Sequence, residues 1–472
     1  MSLPNHKTKI VATIGPASDS PEMLLRLIRA GLDVARLNFS HGAFDKHADV
    51  IARIRVASQS AGKSVTIMAD LPGPKMRLGK IAPEPINLAV GDAFTLTSQD
   101  IAGDSRRVSM SFEPLPRVVK PGNRLYLNDG LVQLIVDRVE GNDVHCKVAV
   151  GGELRSRKGL NLPGIELGIG AFTAHDRDCL EFALTHGVDA VSQSFVESSA
   201  DIDAVRSAAR ALGKEPFVIA KIERAEALQR YDEILKAADG IMVARGDLGV
   251  EVPIEEIALT QKSLIARANA AGKPVITATQ MLESMVASRL PTRAESTDVA
   301  NAILDGTDCV MLSGESAMGR YPEEAVTMLA KIAAATENRR PPGRPHHALS
   351  PATAAEAIAT VVEHTLETVP CAAVFVPTLS GTTARMISRF KPAVWIAALS
   401  DNPAVCQGLN FSYGVLPIQT SAMPGNWRDF AARWCREHGQ TGVAAVVVSG
   451  PSAKDPTANH RIEFIPARER SA

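Results

Sequence analysis

Two neighbouring stretches of the sequence indicate its fold most clearly: Phe217-Val-Ile-Ala-Lys-Ile-Glu223 and Gly240-Ile-Met-Val-Ala-Arg-Gly-Asp247. Each begins as an uninterrupted apolar run and ends in charged residues. Apolar runs of this length, separated by helical stretches, are typical of strands in a parallel sheet covered on both faces. The charged residues then lie at the carboxyl ends of the strands, where proteins of this kind build their active sites.

The same unit, a short apolar strand followed by a helical stretch, occurs eight times. Eight such units predict an α/β fold with a closed (β/α)8 TIM barrel, and an open doubly wound sheet is the alternative. The 472 residues leave room for about three domains. The predicted barrel strands are residues 9–14, 34–38, 65–70, 190–195, 217–222, 240–243, 274–279 and 309–312.

The gap between the third and fourth predicted strands carries a different pattern. Short alternating runs at 94–97, 124–127, 131–136 and 144–150 are separated by turn signals such as Asn128-Asp129-Gly130. This pattern predicts that residues 71–169 form an all-β insertion, which lies above the rim of the barrel. The barrel is then split in sequence into residues 1–70 and 170–340.

A third unit follows a segment with linker composition, residues 337–347, which is rich in proline and arginine. Ser350 or Thr353 is a plausible N-cap for the first helix of this unit. Further strands are predicted at 372–376, 394–398, 443–448 and 461–465. Residues 350–472 are therefore expected to form a C-terminal α/β domain.

Composition excludes several classes of function. Lys and Arg number 51 against 52 Asp and Glu, so the chain lacks the field of a general nucleic-acid or polybasic membrane binder. Aromatic residues are 4%, which argues against stacking platforms for single-stranded nucleic acid. No apolar run approaches a membrane span, and no signal peptide is expected. The six cysteines have no ligand-like spacing, which favours reduced thiols and a cytoplasmic protein.

Charged residues at the ends of the fifth and sixth strands suggest metal-assisted chemistry. Lys221 and Glu223 are two residues apart, so they share one face of an extended segment. Asp247 follows the next strand, in a glycine-containing stretch whose flexible backbone suits anion binding. Two close carboxylates need a cation, and oxygen ligands favour Mg²⁺ or Mn²⁺. A lysine there suits an oxyanion or a transferring phosphoryl group. The alternative is a structural Lys–Glu ion pair beside a solvated aspartate.

Other strand ends supply further polar side chains to the same rim. Arg36 is a fork donor suited to phosphate or carboxylate. Further polar residues follow the second, third and seventh strands or lie at the start of the insertion. They are Asn38, Ser40, His41, Asp70, Lys75, Arg77 and Thr279.

Several of these segments, taken in order, resemble pyruvate kinase over nearly the whole chain. The segments that carry the resemblance are Lys9-Ile-Val-Ala-Thr-Ile-Gly-Pro16, Ala35-Arg-Leu-Asn-Phe-Ser-His-Gly42, Lys158-Gly-Leu-Asn-Leu-Pro-Gly164, Lys221-Ile-Glu223, Met242-Val-Ala-Arg-Gly-Asp-Leu-Gly-Val-Glu251, Ala278-Thr-Gln-Met-Leu-Glu-Ser-Met285, Pro291-Thr-Arg-Ala-Glu-Ser-Thr-Asp-Val-Ala-Asn-Ala302 and Met311-Leu-Ser-Gly-Glu315.

The resemblance implies phosphoryl transfer from phosphoenolpyruvate to ADP, giving pyruvate and ATP in the last step of glycolysis. It implies that Glu223 and Asp247 hold the divalent ion and that Lys221 stabilises the transition state and the enolate. It implies a β-barrel lid formed by residues 71–169 and a homotetramer. It also implies that Arg36 contacts phosphate and that the backbone of Ala244, Arg245 and Gly246 binds the substrate carboxylate. Thr279 is implied to contact the substrate and to take part in protonating the enolate. The residues implied to contact the nucleotide are Asn38, His41, Arg77 and the residue at the position of His175.

The chain departs from the family pattern in its monovalent-cation region. Asn38, Ser40 and Asp70 are present, but the fourth position, commonly Thr, is Leu71. Members of the family that require K⁺ carry Glu where this chain has Lys75. An ammonium group there can supply the charge of K⁺, so we expect activity without K⁺.

Two further departures concern the nucleotide. His175 stands where lysine is usual in the family, and Glu197 stands where arginine is usual. A neutral histidine attracts phosphate less strongly than lysine, so nucleotide preference stays open.

The C-terminal domain carries Thr378-Leu-Ser-Gly-Thr-Thr383, a hydroxyl-rich loop that leads into a helix. In the family this loop binds a phosphorylated effector, which makes Thr378, Ser380, Gly381, Thr382 and Thr383 candidate contacts. The pattern by itself equally fits a simple capped helix start.

Two other functions remain open from the sequence. A metal-dependent lyase or aldolase would share the enolate chemistry but would not need the lid or Arg77. A metabolite sensor that has lost nucleotide binding would explain His175 and Glu197.

Overall fold

A computed structural model describes residues 3–340, 353–451 and 459–466 of the chain. Eight parallel strands form the closed barrel that the sequence predicts, since each strand pairs with the next and the first pairs with the eighth. The barrel strands are Lys9–Thr13, Leu32–Asn38, Thr66–Leu71, Ala190–Gln193, Phe217–Ile222, Gly240–Ala244, Val275–Ala278 and Cys309–Leu312.

The barrel helices cover the outer face of these strands. Apolar side chains from both form one large buried cluster around the barrel, and a smaller cluster fills its interior. The helices in this part of the chain are Pro21–Ala30, Phe44–Ala61, Ala174–Thr185, Ser199–Ala211, Ala225–Gln229, Tyr231–Ala237, Arg245–Glu251, Ile257–Ala270, Arg293–Asp305, Gly314–Ala317 and Pro322–Glu337, with 3₁₀ turns at Ile254–Glu256 and Glu283–Val286.

The insertion after the third strand consists mainly of short β-strands. Six of them form one sheet in the order Leu160–Asn161, Arg124–Leu127, Val132–Glu140, Asp143–Val150, Ala93–Thr97 and Arg107–Ser109. Gly152–Leu154 and Ile86–Leu88 form a separate antiparallel pair, and a single helical turn spans Leu115–Val118. The four predicted runs fall on strands of the larger sheet. The four two- and three-residue strands were not predicted, because such short segments carry no periodic signal.

The C-terminal domain has a five-stranded sheet rather than the four predicted strands. Its order is Val415–Gln419, Trp395–Ser400, Cys371–Pro377, Ala444–Ser449 and Arg461–Pro466. The missed strand, Val415–Gln419, lies at an edge and contains Pro417, a residue that argues against a central strand but is tolerated at an edge. The helices are Ala354–Thr368, Thr382–Ser388, Pro403–Leu409 and Trp427–Glu437.

Thr353 is the N-cap of the first C-terminal helix, because its side chain accepts from the Glu356 N–H. Ser350, the other predicted cap, and the predicted linker beyond residue 340 lie outside the described residues.

The C-terminal domain packs against the amino-terminal end of the barrel. Phe411 is fully buried within the interior cluster of the barrel and stacks on Phe217, with ring centroids 5.2 Å apart. Asp308 of the barrel pairs with Lys391 at 2.7 Å and accepts from the Tyr413 N–H at 2.9 Å. The candidate active site lies at the opposite, carboxyl-terminal end of the barrel.

Candidate active site

A polar cavity of about 500 Å³ occupies the carboxyl-terminal end of the barrel. The strand ends bring together residues that are far apart in sequence, as expected for this fold. Ten of the predicted site residues line it: Arg36, Asn38, Ser40, Asp70, Lys75, Lys221, Glu223, Ala244, Asp247 and Thr279.

Lys221 lies at the centre of the charged network in this cavity. Its Nζ is 2.8 Å from Glu223 Oε1 and 3.3 Å from Asp70 Oδ1, and it donates to Ser194 Oγ at 2.6 Å. Burial alone would lower the pKa of Lys221, but the charges of Asp70 and Glu223 outweigh that effect and raise it. The lysine is therefore a positive charge held in one position, since its residue is only 8% exposed.

Arg36 is held by side chains of the first and third strands. Its Nε donates to Asp70 Oδ2 at 3.0 Å, its Nη2 pairs with the same oxygen, and its Nη1 donates to Thr13 Oγ1 at 2.7 Å. Ser192 donates to the other Asp70 oxygen at 2.8 Å. Burial would raise the pKa of Asp70, but Arg36 and Lys221 bring it well below its usual range. Asp70 is thus an anion that positions two cations at the edge of the cavity.

Glu223 and Asp247 are the two carboxylates that the sequence assigned to a metal ion. Glu223 is 1% exposed and accepts from the Phe195 N–H at 2.7 Å. Burial raises the pKa of Asp247 to about 6, and the negative charge of Glu223 adds to this shift. A divalent cation beside the pair would relieve the effect of the Glu223 charge on Asp247. Within residues 3–340, 353–451 and 459–466, no group of three or more His, Cys, Asp and Glu could hold a metal by itself.

The stretch after the sixth strand is a short helix, Arg245–Glu251, rather than the flexible segment expected from sequence. It packs closely on Thr279, because a Cβ built on Gly246 would lie 2.8 Å from Thr279 Cγ2. Thr279 has φ +72, a strained conformation for a β-branched residue and one that recurs at functional sites. Arg245 holds this turn by donating to the carbonyls of Ala278 at 3.3 Å and Thr279 at 2.7 Å, and by pairing with Asp298.

Lys75 lines the cavity beside Asn38, Ser40 and Asp70. Loss of solvation lowers its pKa, and the charge of Lys221 lowers it further while Asp70 opposes the change. Leu71 is fully buried in the third strand. An ammonium group therefore lies in the region that the sequence assigned to a monovalent cation.

Some predicted residues do not line the cavity. His41 is close enough to Lys75, Arg77 and Arg36 for their charges to add to the effect of burial in lowering its pKa. His175 is exposed on the helix Ala174–Thr185 and lies 3.7 Å from Cys179 Sγ. The predicted residues outside the cavity lining are His41, Leu71, Arg77, His175, Arg245 and Gly246.

The predicted effector loop lies in the C-terminal domain, apart from this cavity. Thr378 Oγ1 accepts from the Gly381 N–H at 2.9 Å, and the Ser380 and Thr382 hydroxyls are 3.0 Å apart. Gly381 has φ +78, which a side chain would strain. The loop keeps Ser380, Thr382 and Thr383 at least partly accessible to solvent.

Sequence reasoning missed several residues that build the cavity. Ser194, which accepts from Lys221, follows the fourth strand and was detectable only as one more polar strand end. Met242 and Met311 lie within apolar strands, where nothing distinguishes them from core residues. The cavity-lining residues that were not predicted are Ser194, Phe195, Met242 and Met311.

A closed (β/α)8 barrel with an inserted β domain and a buried lysine between carboxylates at its carboxyl-terminal end defines an enzyme of the TIM-barrel class. Among the described residues, no helix is long and apolar enough to cross a membrane. The sequence matches the family "Pyruvate kinase, barrel domain" over residues 5–326 and "Pyruvate kinase, alpha/beta domain" over residues 356–460. The chain belongs to the pyruvate kinase family and is a phosphotransferase.

Individual relatives support the same assignment. A pyruvate kinase of Thermococcus litoralis is 50% identical over 432 residues, which cover 89% of this chain and 90% of the relative. Pyruvate kinase 2 of Synechocystis is 45% identical over 431 residues, 90% of this chain and 73% of the relative. The crystal structure of a pyruvate kinase from Cryptosporidium parvum superposes with a TM-score of 0.91 at 36% identity, over 98% of this chain and 97% of that one.

Proposed function

We propose that this enzyme transfers the phosphoryl group of phosphoenolpyruvate to ADP, with a divalent cation at Glu223 and Asp247 and without K⁺. The observation that carries the proposal is the buried cation Lys221, held between Glu223, Asp70 and Ser194 in the cavity. Family membership supports the reaction, and the charges in the cavity support the assignment of roles.

Lys221 would stabilise charge that develops during the reaction. When the bond between phosphorus and the enol oxygen breaks, negative charge develops on the transferring group and on the enolate oxygen. A cation already held in position stabilises that charge without reorganising. Its pKa is raised by Asp70 and Glu223 despite burial, which keeps the amine protonated throughout.

The other residues would bind and orient the substrate. Arg36 lines the cavity, and although Asp70 and Thr13 hold its guanidinium, each of its two Nη atoms keeps one further N–H that suits a phosphate oxygen. The backbone of Ala244, Arg245 and Gly246 at the start of the helix Arg245–Glu251 suits the substrate carboxylate. The Thr279 hydroxyl would belong to the route that protonates the enolate carbon.

Glu223 and Asp247 would hold Mg²⁺ or Mn²⁺, as the electrostatics of the pair suggests. When bound, this ion would neutralise phosphoryl and carboxylate oxygens of the substrate. Because two protein carboxylates fill only part of an octahedral shell, the site leaves positions for substrate oxygens.

Lys75 would replace K⁺. Its ammonium group borders Asn38, Ser40 and Asp70, which are residues of the family's monovalent-cation region. We therefore expect equal rates in K⁺-free and K⁺-rich buffer. The variant Lys75→Glu should be slower and should recover activity when K⁺ is added. A large K⁺ stimulation of the unmodified enzyme would contradict this part of the proposal.

The lid and the phosphorylated effector stay part of the proposal. The inserted β domain would close over the cavity and exclude water that competes with ADP for the phosphoryl group. The loop from Thr378 to Thr383 remains the candidate effector contact, and the homotetramer stays a prediction.

A coupled assay of pyruvate formation from phosphoenolpyruvate and ADP, with and without Mg²⁺, tests the proposal. Lys221→Met should reduce turnover by at least about 10²-fold, because it removes a preorganised charge, while both carboxylates remain. Pyruvate release that does not depend on ADP would instead favour the lyase. Binding of phosphoenolpyruvate without turnover on ADP, GDP or UDP would favour the sensor.

A further inference from the structure

The loop that follows the fourth barrel strand is bound to the end of the fifth strand at two consecutive residues. The Phe195 N–H donates to Glu223 Oε2 at 2.7 Å, and Glu197 Oε1 pairs with Arg224 Nε at 3.1 Å. Arg224 has an extended backbone, with φ −118 and ψ 150. Successive side chains of an extended chain point to opposite sides. Accordingly, Glu223 lines the active-site cavity and Arg224 does not.

Arg224 is only 2% exposed, although it is charged. Besides Glu197, its Nε lies 3.1 Å from Glu226 Oε2, and its Nη2 donates to the Ile165 carbonyl at 3.0 Å. A buried guanidinium is costly unless carboxylates and carbonyl oxygens satisfy its charge and its N–H groups. Arg224 is therefore a cation held in one position, and it joins three separate segments of the chain.

One of these segments is the connection by which the chain returns from the inserted β domain to the barrel. Ile165 begins this connection and is buried in the hydrophobic core of the inserted domain. Further along, the Ala171 N–H donates to Asp201 Oδ1 at 2.8 Å, and the Ala171 carbonyl accepts from Gln193 Nε2 at 2.9 Å. Arg224 thus holds the end of the connection that lies nearer to the inserted domain.

The other connection, which leads from the third strand into the inserted domain, packs on the same loop. Gly73 has φ +63, and a Cβ added there would lie 2.9 Å from Phe195 Cδ2 and 3.0 Å from the Ser194 carbonyl oxygen. Phe195 has φ +58, a strained conformation for a bulky residue. Both connections of the inserted domain therefore contact the loop or the arginine that the loop binds, and the N–H of Phe195 in this loop holds Glu223.

We propose that Arg224 is a positioning residue that links the inserted domain, at Ile165, to the carboxylate of Glu223 through Glu197 and the Phe195 N–H. Loss of Arg224 frees the loop at Glu197 and thereby loosens the contact between Phe195 and Glu223. A carboxylate at position 197 then serves the barrel itself and not the nucleotide. The effect on metal binding rests on the proposed function, in which Glu223 holds the divalent cation, whereas the link between the segments does not.

Hydrogen–deuterium exchange on the full chain, without metal or substrates, tests the link. Overlapping peptides isolate the Phe195 amide, and peptides over residues 160–168 report on the returning connection. The test variant is Arg224→Met. Glu197→Gln is a milder second variant, because its carboxylate is 18% exposed and Arg224 keeps its contact with Glu226.

The matched control is Arg55→Met. Arg55 also pairs with a carboxylate, that of Asp189 at 2.7 Å, and also donates to backbone carbonyls, those of Val65 and Gly187. These contacts lie at the amino-terminal end of the barrel, away from Glu223. Thermal unfolding of each variant checks that it is folded.

In Arg224→Met the Phe195 amide should exchange at least about tenfold faster than in the unmodified protein, because a hydrogen bond to a charged group is worth about 1.5–3 kcal/mol. Exchange over residues 160–168 should also rise. Glu197→Gln should show a smaller rise at Phe195, and Arg55→Met should leave both regions unchanged. The link is overturned if the Phe195 amide exchanges at an unchanged rate in both test variants, or if exchange rises equally along the whole chain.

Titration with Mn²⁺ alone, followed by electron paramagnetic resonance, tests the consequence for the metal. Arg224→Met should bind Mn²⁺ at least about tenfold more weakly than the unmodified protein and Arg55→Met, as is typical when a group that orients a metal ligand is lost. Unchanged Mn²⁺ affinity in a folded Arg224→Met variant would overturn the positioning role. If the unmodified protein binds no Mn²⁺, the proposed metal site fails, while faster exchange at Phe195 still supports the link.

Discussion

Replacement of Gly246 by alanine probes how closely the helix Arg245–Glu251 must approach the strained turn at Thr279. An added Cβ would lie 2.8 Å from Thr279 Cγ2, and 3.6 and 3.7 Å from its Cβ and Oγ1. Non-bonded carbon atoms pack best at about 3.5–4.0 Å. Either the helix or Thr279 must therefore move by about 1 Å.

Thr279 cannot move freely. Its carbonyl accepts from Arg245 at 2.7 Å, and Arg245 also pairs with Asp298 at 2.7 Å. The displacement is therefore shared with the start of the helix, where the substrate carboxylate is proposed to bind. A misplacement of about 1 Å can cost about 10²-fold in rate, which corresponds to about 2.7 kcal/mol of transition-state stabilisation.

Steady-state kinetics with phosphoenolpyruvate and ADP measure the effect, and Gly249→Ala is the matched control. Gly249 lies in the same helix, but its added Cβ would meet only Ile254 Cδ1, at 4.0 Å. We expect kcat/KM to fall by about 10²-fold for Gly246→Ala and to stay near the unmodified value for Gly249→Ala. Equal values for the two variants would refute the steric argument.

Two further predictions concern buried polar groups. Ser194→Ala removes a hydrogen-bond acceptor 2.6 Å from Lys221 Nζ and should lower kcat by about 10-fold. An unchanged kcat would instead show that Glu223 and Asp70 are sufficient to hold the lysine. Burial raises the pKa of Glu251 to about 7, and its Oε2 has no hydrogen-bond partner among the described residues. The folded state then retains a proton that the unfolded chain releases near pH 4.5, so this carboxyl lowers stability as the pH rises through about 7. Glu251→Gln should raise the melting temperature relative to the unmodified protein more at pH 8 than at pH 5, and a pH-independent difference would contradict this assignment.

The local sequence pattern was sufficient to predict the barrel, because each strand is a continuous apolar run that ends in polar residues. Lys221 and Glu223 were paired correctly, since alternation along a strand is a local property. The strand Val415–Gln419 escaped the same reasoning because Pro417 interrupts its pattern, and only its edge position in the sheet makes the proline acceptable.

The amino-acid sequence alone was enough to predict the fold class, the family resemblance and the charged groups of the cavity, because these depend on periodicity and on the chemistry of individual side chains. Two relations are visible only in the folded chain: Ser194 accepts a hydrogen bond from Lys221, and Gly246 packs against Thr279. These relations join residues on different strands, helices or domains. Their distances depend on how the elements pack, which no local pattern records.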